Sequence, residues 1–288
     1  MMLTLGFIGA GTVGTALAVR LSQKGYPVVA AASRTFASAQ RLAGQVDGCL
    51  AFEILQQVVD AAELVFVTTP DDAIAGVVSA LRWGTGKRVA HCSGAASLDI
   101  LEPARQAGAQ VGGFHPLQTF ASAQQALDNL PGSTFGIEAE GELLDRLAEM
   151  AQSLDGDWAH LKGEDKVLYH AAAVFACNYW VTLMRVATEL WGHFGADSAK
   201  ATKALMPLLR GTLLNLENVG LPHCLTGPIA RGDLGTIEKH MAALEKQAPE
   251  FLPLYRELGL HTIPVALGKG RVDEQGAEAM RKLIGLGT

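Results

Sequence analysis

Charge is scarce in this 288-residue chain: 18% of residues are charged, 23 of them basic and 29 acidic, for a net charge of −6. That balance argues against a broad cationic face for nucleic acid or an anionic membrane, so any basic patch for phosphate must be local. Cysteine is equally sparse. Cys49, Cys92, Cys177 and Cys224 are widely scattered, with no C-x-x-C pair and no Cys/His ligand spacing. This excludes a disulfide framework and a zinc site, and free thiols in a reducing cytoplasm are expected, with no metal. Internal repeats and low-complexity tracts are lacking too. The most apolar later run, 171–186, is interrupted by Asn178 and Arg185, so it reads as a buried helix and not as a membrane span. The opening residues are apolar without a basic leader or cleavage site, and no secretory signal is expected.

What the chain does have is apolar mass, 49% of residues, enough for a packed core, and a length that suggests two domains. Its most informative stretch comes first. A short apolar strand, 3–8, runs into Gly9-Ala10-Gly11-Thr12-Val13-Gly14, and a helical pattern (Ala16, Leu17, Val19, Leu21) follows at once. The G-x-G-x-x-G spacing alone is a weak signal, but between a strand and a helix each glycine has a task. Gly9 permits the tight turn and Gly11 lets a pyrophosphate approach the backbone. Gly14 lets the helix pack close, with its N-terminal amides aimed at phosphate. The bland alternative is a glycine-rich turn that binds nothing.

The next strand, 27–32, ends in Ser33-Arg34-Thr35, about twenty residues on, where an NAD-binding chain carries an acid for the ribose 2′-hydroxyl. Here the acid is absent and a guanidinium stands nearby, suited to a 2′-phosphate. NADP(H) is therefore the expected cofactor; an arginine merely solvated at the start of a helix is the alternative.

Further strands are expected near 64–68, 88–91, 110–114 and 133–137, with helices near 12–24, 36–44, 53–61, 72–82, 97–107 and 141–153. This alternation predicts an α/β fold: a doubly wound parallel sheet with helices on both faces. Ligands of such sheets sit at the carboxyl ends of the strands, here Gly9, Ser33, Thr68-Thr69-Pro70, Cys92-Ser93-Gly94 and His115-Pro116. Beyond about 162 the strand signals stop and helical patterns cover 163–193, 196–218, 234–247, 249–266 and 273–285. We expect a Rossmann domain over 1–160 and an all-helical domain for substrate and dimerisation over 161–288.

Four segments could carry chemistry. Ser93 and Gly94 could hold a substrate carboxylate or the nicotinamide amide, with simple helix capping as the alternative. His115, before a proline at the rim, could donate to a substrate oxygen, or could be a buried histidine bonded to backbone. On the long apolar helix, His170 and Asn178 need polar partners. Eight residues on an ideal helix give an offset of about 80°, so the two are not expected to reach one carbonyl together. Helix–helix hydrogen bonding is the alternative for each. Finally, Thr226 and Arg231 suit a carboxylate, unless Arg231 and Asp233 simply pair within their loop.

Taken together, the glycine turn, Ser33-Arg34-Thr35, Thr68-Thr69-Pro70 and an all-helical second half resemble the 6-phosphogluconate-dehydrogenase-like superfamily. That superfamily includes pyrroline-5-carboxylate reductases, F420-dependent NADP oxidoreductases, ketopantoate reductases and prephenate dehydrogenases. More closely, four motifs resemble a bacterial group that joins a Rossmann-like domain to a helical domain known as DUF2520. They are His-Cys-Ser-Gly-Ala (91–95), Phe-His-Pro-Leu-Gln-Thr-Phe (114–120), Tyr-His-Ala-Ala-Ala-Val-Phe-Ala-Cys-Asn-Tyr (169–179) and Thr-Gly-Pro-Ile-Ala-Arg-Gly-Asp (226–233). The resemblance spans essentially the whole chain. It implies cofactor roles for Gly9, Gly11, Gly14, Arg34 and Thr69, and matches Asn178 to the helix asparagine of hydroxyacid dehydrogenases and ketopantoate reductases. Those families carry a catalytic lysine four residues before it, where this chain has Val174. His170 or His115 is left as the candidate acid.

The resulting expectation is a cytoplasmic, homodimeric NADPH-dependent oxidoreductase acting on a small keto or imino acid, ketopantoate-type as the first guess. An F420- or imine-linked NADP oxidoreductase is the alternative, and a nucleotide-binding sensor without catalysis is the rival from another class.

Overall fold

Strands of small and β-branched residues alternate with helices through the first half of the chain, and this alternation builds a single eight-stranded sheet. The computed structural model describes residues 2–285. In chain order the elements are β1 (Leu5–Ile8), α1 (Thr12–Gln23), β2 (Val28–Ala32), α2 (Phe36–Ala43), β3 (Leu50–Phe52), α3 (Leu55–Ala61), β4 (Leu64–Val67) and α4 (Asp71–Ser79). They continue with β5 (Arg88–His91), α5 (Glu102–Gln106), β6 (Gln110–Leu117), α6 (Ala123–Asn129), β7 (Thr134–Glu138), α7 (Gly141–Ser153), β8 (Asp157–His160) and α8 (Lys166–Ala173). The strand order is β3-β2-β1-β4-β5-β6-β7-β8. The doubly wound α/β expectation holds, with β1 between β2 and β4 at the point where the winding reverses.

One pairing departs from an all-parallel sheet: β6 and β7 are antiparallel, with Gly113 opposite Glu138 and His115 opposite Gly136. The chain leaves β6 past the carboxyl rim, folds back through α6 and re-enters from that same side. Three elements, β3, α6 and β8, have no counterpart in the sequence pattern. At three and four residues, Leu-Ala-Phe and Asp-Trp-Ala-His are too short for a periodic signal.

Successive strand residues face opposite sides of the sheet. Phe7, Phe66, Phe114 and Phe135 form a row across one face, with ring centroids 5.2, 5.7 and 4.5 Å apart along the row. The intervening strand β5 places Ala90 beneath that row, which lets Phe66 and Phe114 meet. Each buried ring contributes about 1.5–3 kcal/mol. On the other face Ile8, Val65, Val67 and Val89 pack under Val58, Ile74 and Leu101.

The chain divides into two compact units, the first running to Asn178 and the second beginning at Tyr179. The second contains α9 (Tyr179–Gly192), α10 (Ser198–Val219), α11 (Pro228–Arg231), α12 (Leu234–Gln247), α13 (Leu252–Lys269) and α14 (Glu274–Gly285). Ile237, Met241, Ile263, Ala277, Met280 and Ile284 form its core, from α12, α13 and α14. Asp197 and Asp233 accept amide hydrogens at the starts of α10 and α12, as N-caps do.

The long apolar helical run departs from expectation. It reads as buried, yet Lys166 is the one buried residue of α8, Thr188 that of α9 and Ala201 that of α10. By length and composition alone, the stretch Gly163–Gly192 could cross a membrane.

Candidate active site

At the first βα turn, Gly9 has φ +112°, and a Cβ there would lie 2.6 Å from the Thr68 carbonyl carbon. A Cβ on Gly14 would come within 2.3 Å of the Gly9 carbonyl oxygen and 2.4 Å of Thr68 Oγ1. Neither position tolerates a side chain. The Thr68 hydroxyl donates to the Gly9 carbonyl oxygen at 2.6 Å, tying the rim of β4 to the turn. Gly11 differs: a Cβ there would meet nothing within 4 Å. That open space lies over the start of α1, where the first amides of the helix have no partner of their own.

Two more features fit a nucleotide at this turn. Thr69 Oγ1 is buried without a hydrogen-bond partner. Arg34 is exposed beyond β2 and makes no hydrogen bond or ion pair among the described residues. Beside it Thr35 Oγ1 and Ser38 Oγ lie 2.7 Å apart, and Arg41 Nη2 donates to Ser38 Oγ at 2.7 Å. Gly9, Ala10, Gly11, Thr12, Val13 and Gly14 thus form one turn, with Ser33-Arg34-Thr35 and Thr68-Thr69-Pro70 as the adjoining strand ends.

Further along the same rim, three histidines gather. His91, at the end of β5, is fully buried and accepts the Ser93 amide hydrogen on Nδ1 at 3.1 Å. Burial, and then the Lys166 ammonium, push it down to about 3. His115 Nδ1 lies 2.9 Å from the Tyr169 hydroxyl. Burial, then Lys166, then His170 lower His115 to about 4, while burial raises the Tyr169 phenol to about 12. His170 Nδ1 is buried with no partner. A Cβ on Gly94 would sit 2.6 Å from His170 Nδ1 and 2.8 Å from His115 Nε2. Only glycine can pass between the two imidazoles.

Ser93 does not offer the hydroxyl expected of it. The residue is 3% exposed, and its Oγ donates to Asp71 Oδ2 at 2.6 Å while accepting from the amides of Ala95 and Ala96 at 3.3 and 3.1 Å. One donor and two lone pairs are a hydroxyl's whole capacity. Ser93 ties the turn together and has nothing left for a carboxylate or an amide.

His115, Gln118, Tyr169, His170, Cys177 and Asn178 line one cavity of about 520 Å³, completed mainly by Ala172, Ala173, Ala176, Leu117 and Phe120. Asn178 shares a wall with His170, contrary to the ideal-helix expectation. The cause is a π-helical turn at Val174–Asn178. Such a turn absorbs one extra residue. His170 and Asn178 then behave as if seven apart on an α-helix, which is an offset of about 20°.

Thr226 and Arg231 belong to the helical unit. Thr226 is exposed, and Arg231 Nη2 stands 3.8 Å from Asp233 Oδ2. This is the loop pairing, between two half-exposed side chains, and such a pair contributes at most about 1 kcal/mol. Among the described residues no cluster of three or more His, Cys, Asp or Glu could hold a metal ion.

The Rossmann-like domain model matches residues 1–116, and the model of DUF2520, a domain of unknown function, matches residues 133–262. The chain is a Rossmann-like plus DUF2520 protein. No curated protein matches its sequence. Among solved structures, one from Thermotoga maritima is 27% identical over 93% of this chain and 100% of its own, with a TM-score of 0.75. A candidate NADP oxidoreductase of Bacteroides fragilis is 28% identical over 91% and 98%, with a TM-score of 0.70. A reductive aminase of Aspergillus terreus, solved with NADPH and ethyl levulinate, shares the fold at 19% identity over 100% of both chains, with a TM-score of 0.65.

In this Rossmann-like plus DUF2520 protein, sequence reasoning overlooks four polar groups at the site: Asp71, Glu138, Lys166 and Tyr169. Nothing local marks Asp71, in the first turn of α4, or Lys166, after Gly-Glu-Asp, as part of a site. Tyr169 stands in a quoted motif, but nothing local shows that it meets His115, 54 residues away.

Proposed function

We propose that the chain is an NADPH-dependent reductase of a small carbonyl or imine compound, whose C=O or C=N group is held in the cavity beside His115, His170 and Asn178. The observation that carries this reading is the convergence of two imidazoles (His115, His170), a phenol (Tyr169) and two carboxamides (Gln118, Asn178) on a cavity whose remaining wall is largely alanine, leucine and phenylalanine, at the sheet edge that carries the glycine turn. Few, well-placed polar groups on an apolar wall are what orients a small substrate.

The cofactor assignment rests on the open approach at Gly11, the unpaired Thr69 hydroxyl and the unpaired Arg34. Arg34 would take the 2′-phosphate, and the amides at Thr12, Val13 and Gly14 would face the pyrophosphate. Bound NADPH supplies the hydride of the reduction. At neutral pH His115 is uncharged, because burial holds it near 4. A phenol hydrogen donated by Tyr169 to Nδ1 leaves the His115 proton on Nε2. From there it hydrogen-bonds a substrate heteroatom and orients it. His170 delivers the proton, in place of the lysine that the family resemblance puts at Val174.

The cavity lining has no lysine or arginine, which favours an uncharged ketone or imine over a keto acid. A keto or imino acid, ketopantoate-type included, needs a cationic anchor that this lining does not supply. We further propose that a second copy of the chain covers α9 and α10. Val181, Leu208, Leu213, Leu214, Leu216 and Val219 are 44–72% exposed. Helices this long with one buried residue each are marginal in water, and a self-complementary two-fold interface closes such a surface.

Turnover of NADPH against ketones, imines and keto acids tests the reading. The expected result is activity on uncharged imines or ketones above that on keto acids. Tight NADPH binding with no turnover of any of them would favour the sensor.

A further inference from the structure

Lys166 has no part in the reading above, although its placement is unusual. It opens α8, is 1% exposed, and its Nζ donates to the Ser93 carbonyl oxygen at 3.0 Å. Its counter-ion is Glu138 at the end of β7, whose Oε2 lies 3.8 Å away and accepts no hydrogen bond. A Cβ on Gly113 would lie 3.1 Å from the ammonium, so the glycine of β6 is what leaves room for it. Burying an ammonium costs several kcal/mol unless it is paired and bonded, and a solvated lysine would avoid that cost.

The surrounding bonds explain what this burial achieves. All three polar groups of Ser93 are engaged: its amide with His91, its hydroxyl with Asp71, its carbonyl with Lys166. The next residue is Gly94, wedged between His115 and His170. Lys166, Tyr169 and His170 are at i, i+3 and i+4, on one face of α8. We propose that Lys166 is a positioning residue that pins the Ser93–Gly94 turn to α8, fixing the spacing of His115 and His170, and sets the electrostatic field in which those imidazoles work.

This inference rests on the cavity being the reduction site. A buried cation beside His115 opposes its protonation, so His115 remains a neutral donor. The groups facing Lys166 are Glu138 from β7, Asp71 from α4, Cys92 beyond β5, and His91 and His115. Asp71 opposes the effect on His115, while His170 adds to that of Lys166. Burial holds the lysine itself below its usual range, with Glu138 pulling the other way.

Imidazole NMR titration of the full chain, without substrate or cofactor, tests the proposal. In Lys166→Met the His115 midpoint should rise from about 4 by a unit or more, a tenfold gain in proton affinity. Lys166→Met/Glu138→Gln removes both charges, keeps the fold if the single variant loses it, and should show the same rise. Reductase turnover in the folded variant should fall with its pH profile displaced the same way. A His115 midpoint unchanged in the folded double variant overturns the proposal. Because the titration needs no turnover, a wrong choice of substrate class leaves this result standing.

Discussion

On the proposed reading, Arg34 sets the preference for NADPH over NADH more than any other single residue. A charge-assisted pair contributes about 1.5–3 kcal/mol, so Arg34→Ala should weaken NADPH binding roughly tenfold or more and leave NADH nearly unchanged. Calorimetric titration of both cofactors checks this, and an equal loss for both would reject the 2′-phosphate assignment. Gly94 is the second decisive residue. The two nearest contacts of a Cβ there are ring nitrogens, at 2.6 and 2.8 Å, and rings packed in place cannot yield cheaply. Gly94→Ala should cost about 1–3 kcal/mol of stability through overpacking, read by denaturant unfolding, with turnover reduced further because both imidazoles move.

At the scale of elements, the glycine turn, most sheet strands and the long helices of the second half were legible because each is a local pattern. Gly9 and Gly14 have the tasks their spacing implies, and α10 and α12 begin where Asp197 and Asp233 cap them. The π-helical turn was not legible, since Val-Phe-Ala-Cys-Asn suits an ordinary helix equally well. Neither was the antiparallel return of β7, which brings Glu138 to Lys166 and Gly136 to Tyr169. Those contacts join segments more than twenty residues apart, and single-sequence periodicity carries no such information. The π turn itself is testable. Deleting Ala176 removes the extra residue and leaves Asn178 seven residues after His170 on a regular helix, still about 20° from it, so substrate KM and NADPH affinity should hold. Asn178→Ala should raise KM while NADPH affinity holds, and an unchanged KM in that variant would show that Asn178 does not touch substrate.

At the scale of the whole molecule, the buried histidines make stability pH-dependent. His91 and His115 are held down to about 3 and 4, against about 6.5 in an unfolded chain. Between these values the unfolded state binds more protons, so stability rises with pH. It should fall as pH drops below about 6.5, with uptake approaching two protons on unfolding near pH 5, measurable by denaturant titrations across that range. Assembly belongs to this scale too: sedimentation should give a dimer at micromolar concentration, and a stable monomer would contradict the covering of α9 and α10 by a second copy. The account as a whole stands on His170 delivering a proton beside bound NADPH. The most direct measurement is single-turnover NADPH oxidation with the best imine or ketone, comparing the natural chain with His170→Ala. The account predicts a loss of about 10²–10⁴-fold with NADPH affinity unchanged; a His170→Ala rate equal to that of the natural chain would contradict it.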